Sequence, residues 1–188
     1  MIHACRTGPR GTIFTVGHST LPIEQFIGLL RGCGVERLVD VRTVPRSRHN
    51  PQFNAQALAQ SLAAADIEYV AMPALGGLRR PRPDSPNAGW RNTSFRGYAD
   101  YMQTAQFREA LEELIRSGHE KRVAIMCAEA VPWRCHRSLI ADALQVRGVP
   151  VVEILSASGR REHRLTPFAR VVGESITYPP EQQQGTLL

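Results

Sequence analysis

Between about residue 12 and residue 155 the chain alternates short apolar, β-branched runs with segments whose apolar residues recur at helical spacing. No other feature limits the fold as much. A strand buried on both faces reads as a continuous apolar run, and successive runs of this kind separated by helices imply parallel strands joined by right-handed crossovers. Thr12-Ile13-Phe14-Thr15-Val16 is the first run and ends in Gly17-His18-Ser19-Thr20; Ile23, Phe26, Ile27 and Leu30 then follow at helical spacing until Gly32 and Gly34 stop the helix. Val35 to Val41 reads as a second strand, closed by Arg42 and the polar loop Pro45 to Pro51, with Asn54 as cap of a helix whose apolar face is Leu58, Leu62 and Ala65. Ile67 to Met72 is a third strand. The aperiodic stretch Pro73 to Asn92, dense in Pro, Gly and Arg, reads as a lid or substrate loop. Tyr98 to Ser117 reads as one helix, Val123 to Met126 as the fourth strand with its helix at His136 to Val146, and Val149 to Leu155 as the fifth strand. The expected fold is an α/β three-layer sandwich, a mainly parallel sheet of about five strands flanked by helices.

The length of 188 residues and 43% hydrophobic content suit one well-buried core, expected over residues 11 to 172, with an N-terminal extension at 1 to 10 and a polar tail at 173 to 188. No apolar stretch of membrane-spanning length occurs, and Met1 to Arg6 has no signal-peptide core. A membrane partner is therefore excluded as an expectation. Four cysteines (Cys5, Cys33, Cys127, Cys135) do not form the dense framework of small secreted domains, so a reducing, cytoplasmic location with free thiols is expected. The net charge of +6 rests on arginine, Lys121 being the only lysine. Arginine binds phosphate and carboxylate through a planar fork, which suits a small anionic ligand; a GC-rich coding sequence would produce the same bias without function.

Reactive residue types gather where the strands end, and in an open parallel sheet ligands bind beyond those ends. The first strand offers His18 and Ser19, the second Asp40 and Arg42, and the fourth Cys127 and Glu129, with Cys135, His136 and Arg137 at the head of the next helix. Cys127 is the candidate nucleophile if nearby positive charge lowers its pKa; otherwise it is a small apolar residue finishing a strand. Glu129 and His136 are candidates for proton transfer, or for an ion pair and a plain exposed imidazole. Asp40 is a base or the structural partner of Arg42. Arg42 and Arg137 are candidate anion ligands. No metal is assigned, because the cysteine spacing is unlike that of structural zinc sites and the adjacent Cys135 and His136 would diverge on a helix. No cofactor is legible.

Cysteine phosphatases and rhodaneses also place a cysteine at a strand end, yet six residues separate Cys127 from Arg134 here and Pro132 lacks an N–H, so the likeness is one of site geometry. In Gly89 to Tyr98, tryptophan stands among arginines; the stretch, with Arg96 and Tyr98, is either a nucleotide or nucleic-acid contact or a loop pinned by its rings.

Val16-Gly17-His18-Ser19, Leu38-Val39-Asp40-Val41-Arg42 with Pro45-Arg46-Ser47, Pro73 to Gly77, Phe95 to Tyr98, and Cys127-Ala128-Glu129 through Cys135-His136-Arg137 together form an ordered set. Over residues 12 to 166 the chain resembles the bacterial and archaeal domain-of-unknown-function family 488. The resemblance implies an α/β fold and a site shared by these motif residues, and it implies no substrate. Two classes of function stand at this point: an enzyme acting on a small anionic, phosphate-bearing or nucleotide-like substrate, and a non-catalytic nucleotide or nucleic-acid module. A metal or redox-thiol protein built on Cys127 and Cys135 is a third.

Overall fold

The computed structural model describes residues 10–180. Strands β1 (Ile13–Gly17), β2 (Arg37–Asp40), β3 (Glu68–Ala71), β4 (Val123–Cys127) and β5 (Val151–Ile154) are parallel, and β6 (Arg160–Glu162) returns antiparallel to β5. Their order across the sheet is β3-β2-β4-β1-β5-β6. The pleat sends alternate side chains to opposite faces. Phe14, Val16, Leu38, Ala124 and Met126 therefore pack with Phe26 and Leu30 of α1 (Ile23–Gly32) and Leu58 and Leu62 of α2 (Ala55–Ala63). Ile13, Val39, Val123 and Ile125 face α3 (Thr93–Tyr101), α4 (Ala105–Glu120) and α5 (Arg137–Val146), meeting Tyr98, Leu111, Leu114 and Leu139. A sheet so short is held by this two-sided burial, each fully buried Leu, Ile or Phe contributing about 1.5–3 kcal/mol. The three-layer α/β sandwich expected from the alternation is the observed architecture.

Several local expectations change. The single helix from Tyr98 to Ser117 is two, because Thr104 takes an extended backbone and its hydroxyl accepts the Phe107 N–H at 3.3 Å, capping α4. Asn54 stands before α2 but does not cap it with its side chain; its Oδ1 accepts the Ser47 N–H at 2.7 Å and closes the 47–54 loop instead. The loop expected to act as a lid is pinned over much of its length. The Asp100 carboxylate accepts the Arg82 N–H (2.8 Å), the Ser85 hydroxyl (2.6 Å) and the buried Asn87 amide (2.7 Å). Gly97 is needed there, since a Cβ would stand 2.3 Å from the Arg79 carbonyl oxygen.

Packing also continues beyond residue 172, where a polar tail was expected. β7 (Arg170–Val172) and β8 (Ser175–Thr177) form a hairpin, Ile176 and Tyr178 are buried, and the Tyr178 hydroxyl donates to Asp142 at 2.8 Å. The alternation Ser175-Ile176-Thr177-Tyr178 sends two large apolar groups to one face, which is enough to dock the strand. The rest of that tail, and the N-terminal extension apart from Arg10, lie outside the described residues. Among the described residues no helix is long and apolar enough to cross a membrane.

Candidate active site

At the carboxyl ends of β1, β2 and β4 the chain opens into a cavity of about 430 Å³. Backbone pairing carries β1 and β4 past their ends together: the His18 N–H donates to the Cys127 carbonyl and the Ser19 N–H to that of Ala128. Gly17 permits the approach, because a Cβ at that position would lie 2.0 Å from the Glu129 carbonyl oxygen. After Glu129 the chain makes a 3-10 turn, Pro132–Arg134, and Cys135 follows in extended conformation (φ −129°, ψ 144°) before α5 begins. That extended residue decides the chemistry. It turns the Cys135 side chain back toward Cys127, so Cys127 Sγ, Cys135 Sγ and a ring nitrogen of His136 all lie within 4.8 Å of one another. Adjacent Cys135 and His136 were expected to diverge on a helix; they converge because Cys135 precedes it.

The two thiols are not equivalent. The Cys127 S–H donates to Cys135, and this bond together with burial pushes the Cys127 thiol well up. The same bond, with the neighbouring Arg137 charge, pushes Cys135 down against the opposing effect of burial. Arg137 is fully buried and donates from Nε to Cys135 Sγ at 3.4 Å, from Nη1 to Thr15 Oγ1 at 2.8 Å and from Nη2 to the Glu129 carbonyl. Among the described residues it has no ion pair with a carboxylate, so the Cys135 sulfur is its ionisable partner. The sulfur most disposed to ionise is thus Cys135, not the Cys127 singled out from the sequence. His136 Nε2 lies 3.1 Å from the Val41 carbonyl, which can only accept. Nε2 therefore carries the proton, and Nδ1 faces Cys135 Sγ at 3.7 Å with its lone pair.

A second group holds the floor. Asp40 and Arg42 form a two-pronged buried ion pair (Nε to Oδ1 2.8 Å, Nη2 to Oδ2 2.6 Å), and the carboxylate also accepts the Tyr69 hydroxyl at 2.8 Å. Arg42 further donates to the Phe53 carbonyl (2.8 Å) and toward His18 Nε2 (3.3 Å). Its charge is held firmly: burial opposes it, and the Asp40 bonds overcome that cost and raise its pKa. His18 donates from Nδ1 to the Ser19 carbonyl at 2.9 Å and stacks on Phe53 with centroids 4.1 Å apart. Burial, helped by the Arg42 charge, lowers its pKa to about 4, so the ring is neutral.

The expected site residues therefore divide. Cys127, Glu129, His136, His18, Arg42 and Tyr98 line the cavity, whereas Asp40, Ser19, Arg96 and Arg137 do not. Asp40, read as a catalytic base or as the structural partner of Arg42, has both oxygens occupied by Arg42 and Tyr69, as the second alternative requires. Arg42 and Arg137, expected to bind an anion, spend their forks on Asp40 and Phe53 and on the 129–135 segment. Ser19 adopts φ +47° to let its carbonyl hold His18. Tyr98 is buried with its hydroxyl committed to the Leu75 carbonyl at 2.7 Å, presenting only its ring, 5.0 Å from that of His136. Arg96 donates twice to the Trp90 carbonyl, and Trp90 packs against Phe95, Phe168 and Tyr178. Trp90 is thus pinned by the rings around it, in a stretch that enters α3 at Thr93. Residues to which the leading sequence reading gave no catalytic or ligand-binding role also line the cavity: Cys135, the cations Arg46 and Arg134, and the apolar Val44, Leu78 and Phe95. The adjacency of Cys135 to His136 was the available signal. Arg46, Arg134 and Glu129 are exposed, and their charged groups have no partner among the described residues.

The family model described as "Domain of unknown function DUF488" matches residues 22–144. The chain belongs to that family. The DUF488 match runs from α1 to near the end of α5 and takes in Arg42, Cys127, Glu129, Cys135 and His136, while His18 precedes it. No curated protein and no solved structure matches the chain.

A larger cavity, about 640 Å³, is lined by Trp133, Ser138, Glu153, Arg161 and His163. Its buried ionisable groups answer one another: His163 sits between Glu153 (2.9 Å) and Asp142 (2.8 Å), and Arg161 pairs with Glu153, while Glu162 and Arg164 stand exposed at its edge. The smaller cavity is the better candidate, because it brings the cysteine–histidine cluster together with Arg46, Arg134 and Glu129, whose charged groups have no partner among the described residues.

Proposed function

We propose that this DUF488 protein is an enzyme acting on a small anionic substrate in the cavity at the end of β4. The observation that carries the reading is the meeting, in one concave site, of reactive groups (Cys127, Cys135, His136, Glu129) and two unpaired guanidinium groups (Arg46, Arg134). About 430 Å³ suits a small molecule. Arg134 and Arg46 hold the anionic group at the rim, where charge-assisted bonds orient it. Glu129, free and next to the cysteine cluster, takes and returns the proton. The neutral His18 and the Asp40–Arg42 pair are positioning groups that keep the β1 and β2 ends rigid beneath the substrate. Val44, Leu78 and Phe95 receive the apolar part of the same molecule. The free thiols of Cys127 and Cys135 agree with work in the cytoplasm.

The test is turnover of a panel of phosphate monoesters, nucleotides and small carboxylates by the wild type, Glu129→Gln, Cys135→Ser and Arg134→Ala. Turnover that falls at least about a hundredfold in the first two variants, with a raised KM in the third, is the expected result. Binding of nucleotides without any turnover would overturn the enzyme reading in favour of a binding module.

A further inference from the structure

The structure assigns Cys127, Cys135 and His136 as ligands of a zinc ion whose fourth position opens into the cavity beside Glu129. The three ligand atoms lie within 4.8 Å of one another, with Cys135 Sγ 3.7 Å from His136 Nδ1. Sulfur and nitrogen ligands bound to zinc at tetrahedral angles lie about 3.6 Å apart. That pair thus already has the required separation. Histidine ligands are normally oriented by a hydrogen bond from the other ring nitrogen, and His136 Nε2 makes that bond to the Val41 carbonyl, leaving Nδ1 facing the sulfurs. Gly77 keeps the approach open: a Cβ there would stand 3.0 Å from Nδ1. Arg137 Nε, on Cys135 Sγ, supplies the outer hydrogen bond to the sulfur.

Two sulfurs and one imidazole select zinc over magnesium or calcium, which take oxygen. Three protein ligands, in place of four, mark the open geometry of hydrolytic zinc sites. The residues nearest in sequence complete the chemistry. With water in the fourth position, Glu129 accepts one proton, and the remaining hydroxide forms a bond to the electrophilic carbon or phosphorus of the anionic substrate. The bond to the leaving group breaks, and Glu129 returns the proton to that group. The metal site stands on its own geometry; the hydrolytic step rests on the enzyme reading above.

The experiment is metal analysis of the full chain purified without a histidine tag, followed by cobalt titration of the chelator-treated protein. About one zinc per chain is expected, and cobalt should produce the intense visible bands of tetrahedral thiolate ligation. Cys135→Ser and His136→Ala should each weaken zinc at least about tenfold, while Glu129→Gln keeps the stoichiometry and the cobalt bands. Circular dichroism checks the fold of each variant, and Cys127→Ser serves where one of them fails to fold. A folded, chelator-treated protein in which cobalt produces no thiolate bands would overturn the assignment. If turnover persists in that metal-free protein, only the zinc proposal falls. A protein that holds zinc but turns over none of the panel keeps the metal site and loses the enzyme reading.

Discussion

Asp40 and Arg42 show how little freedom a buried charge has. Two residues apart at the end of β2, they point to one face, so their pairing was legible from spacing alone. Burial then fixes the outcome, because a guanidinium and a carboxylate removed from water must satisfy each other before either serves a ligand. Asp40 is 1% exposed and Arg42 7%. Replacing Arg42 by Ala should leave the buried Asp40 without its cation, held only by the Tyr69 hydroxyl and a backbone N–H, and lower stability by about 3–5 kcal/mol. Urea unfolding checks this, with Arg42→Lys losing less; an unchanged midpoint in Arg42→Ala would mean that the neutral donors suffice to hold Asp40. The cysteines follow the same logic. The sequence marks both, but the ionisation of Cys135 in preference to Cys127 depends on one extended residue and on where Arg137 points.

At the scale of elements, α5, β5 and the strand after it are tied by charges that the sequence pattern did not advertise. Asp142 stands within the otherwise apolar run from Leu139 to Leu144 and was the one available sign, since a carboxylate on a buried helix face needs a partner. Its partner is His163. Burial disfavours a charged ring there, yet the hydrogen bonds to Asp142 and Glu153 prevail and raise the pKa from 6.5 to about 9. The group is more basic folded than unfolded, so the stability it supplies is fully present below about pH 6.5 and is lost as pH rises through about 9. Melting temperature measured from about pH 6 to about pH 10 should fall across that window, by the equivalent of roughly 2 kcal/mol. His163→Gln should be less stable at the acid end and flatter across the range. An identical slope in the variant would assign the loss to another group.

For the molecule as a whole, the last described strand carries the packed core past residue 172. Tyr178 is fully buried, its hydroxyl holds Asp142 and its backbone N–H donates to Asn87, which also anchors the Arg82–Asn87 loop through Asp100. Ending the chain after Val172 should cost about 3–5 kcal/mol, the scale of deleting a buried aromatic side chain, and the thermal midpoint of the shortened chain measures it. A loss below about 0.5 kcal/mol would restore the polar tail expected from composition. The sequence by itself determined the layered α/β order and the rim that carries the chemistry, because apolar periodicity and strand ends are local properties of the chain. It also exposed the motif set that places the protein in its family. The tertiary structure alone decided which polar groups serve one another and which face the cavity. Arg42, Arg137, Asp40 and Tyr98 each had several partners open to them in sequence. Burial and distances of a few ångströms, set by segments far apart along the chain, chose among those partners.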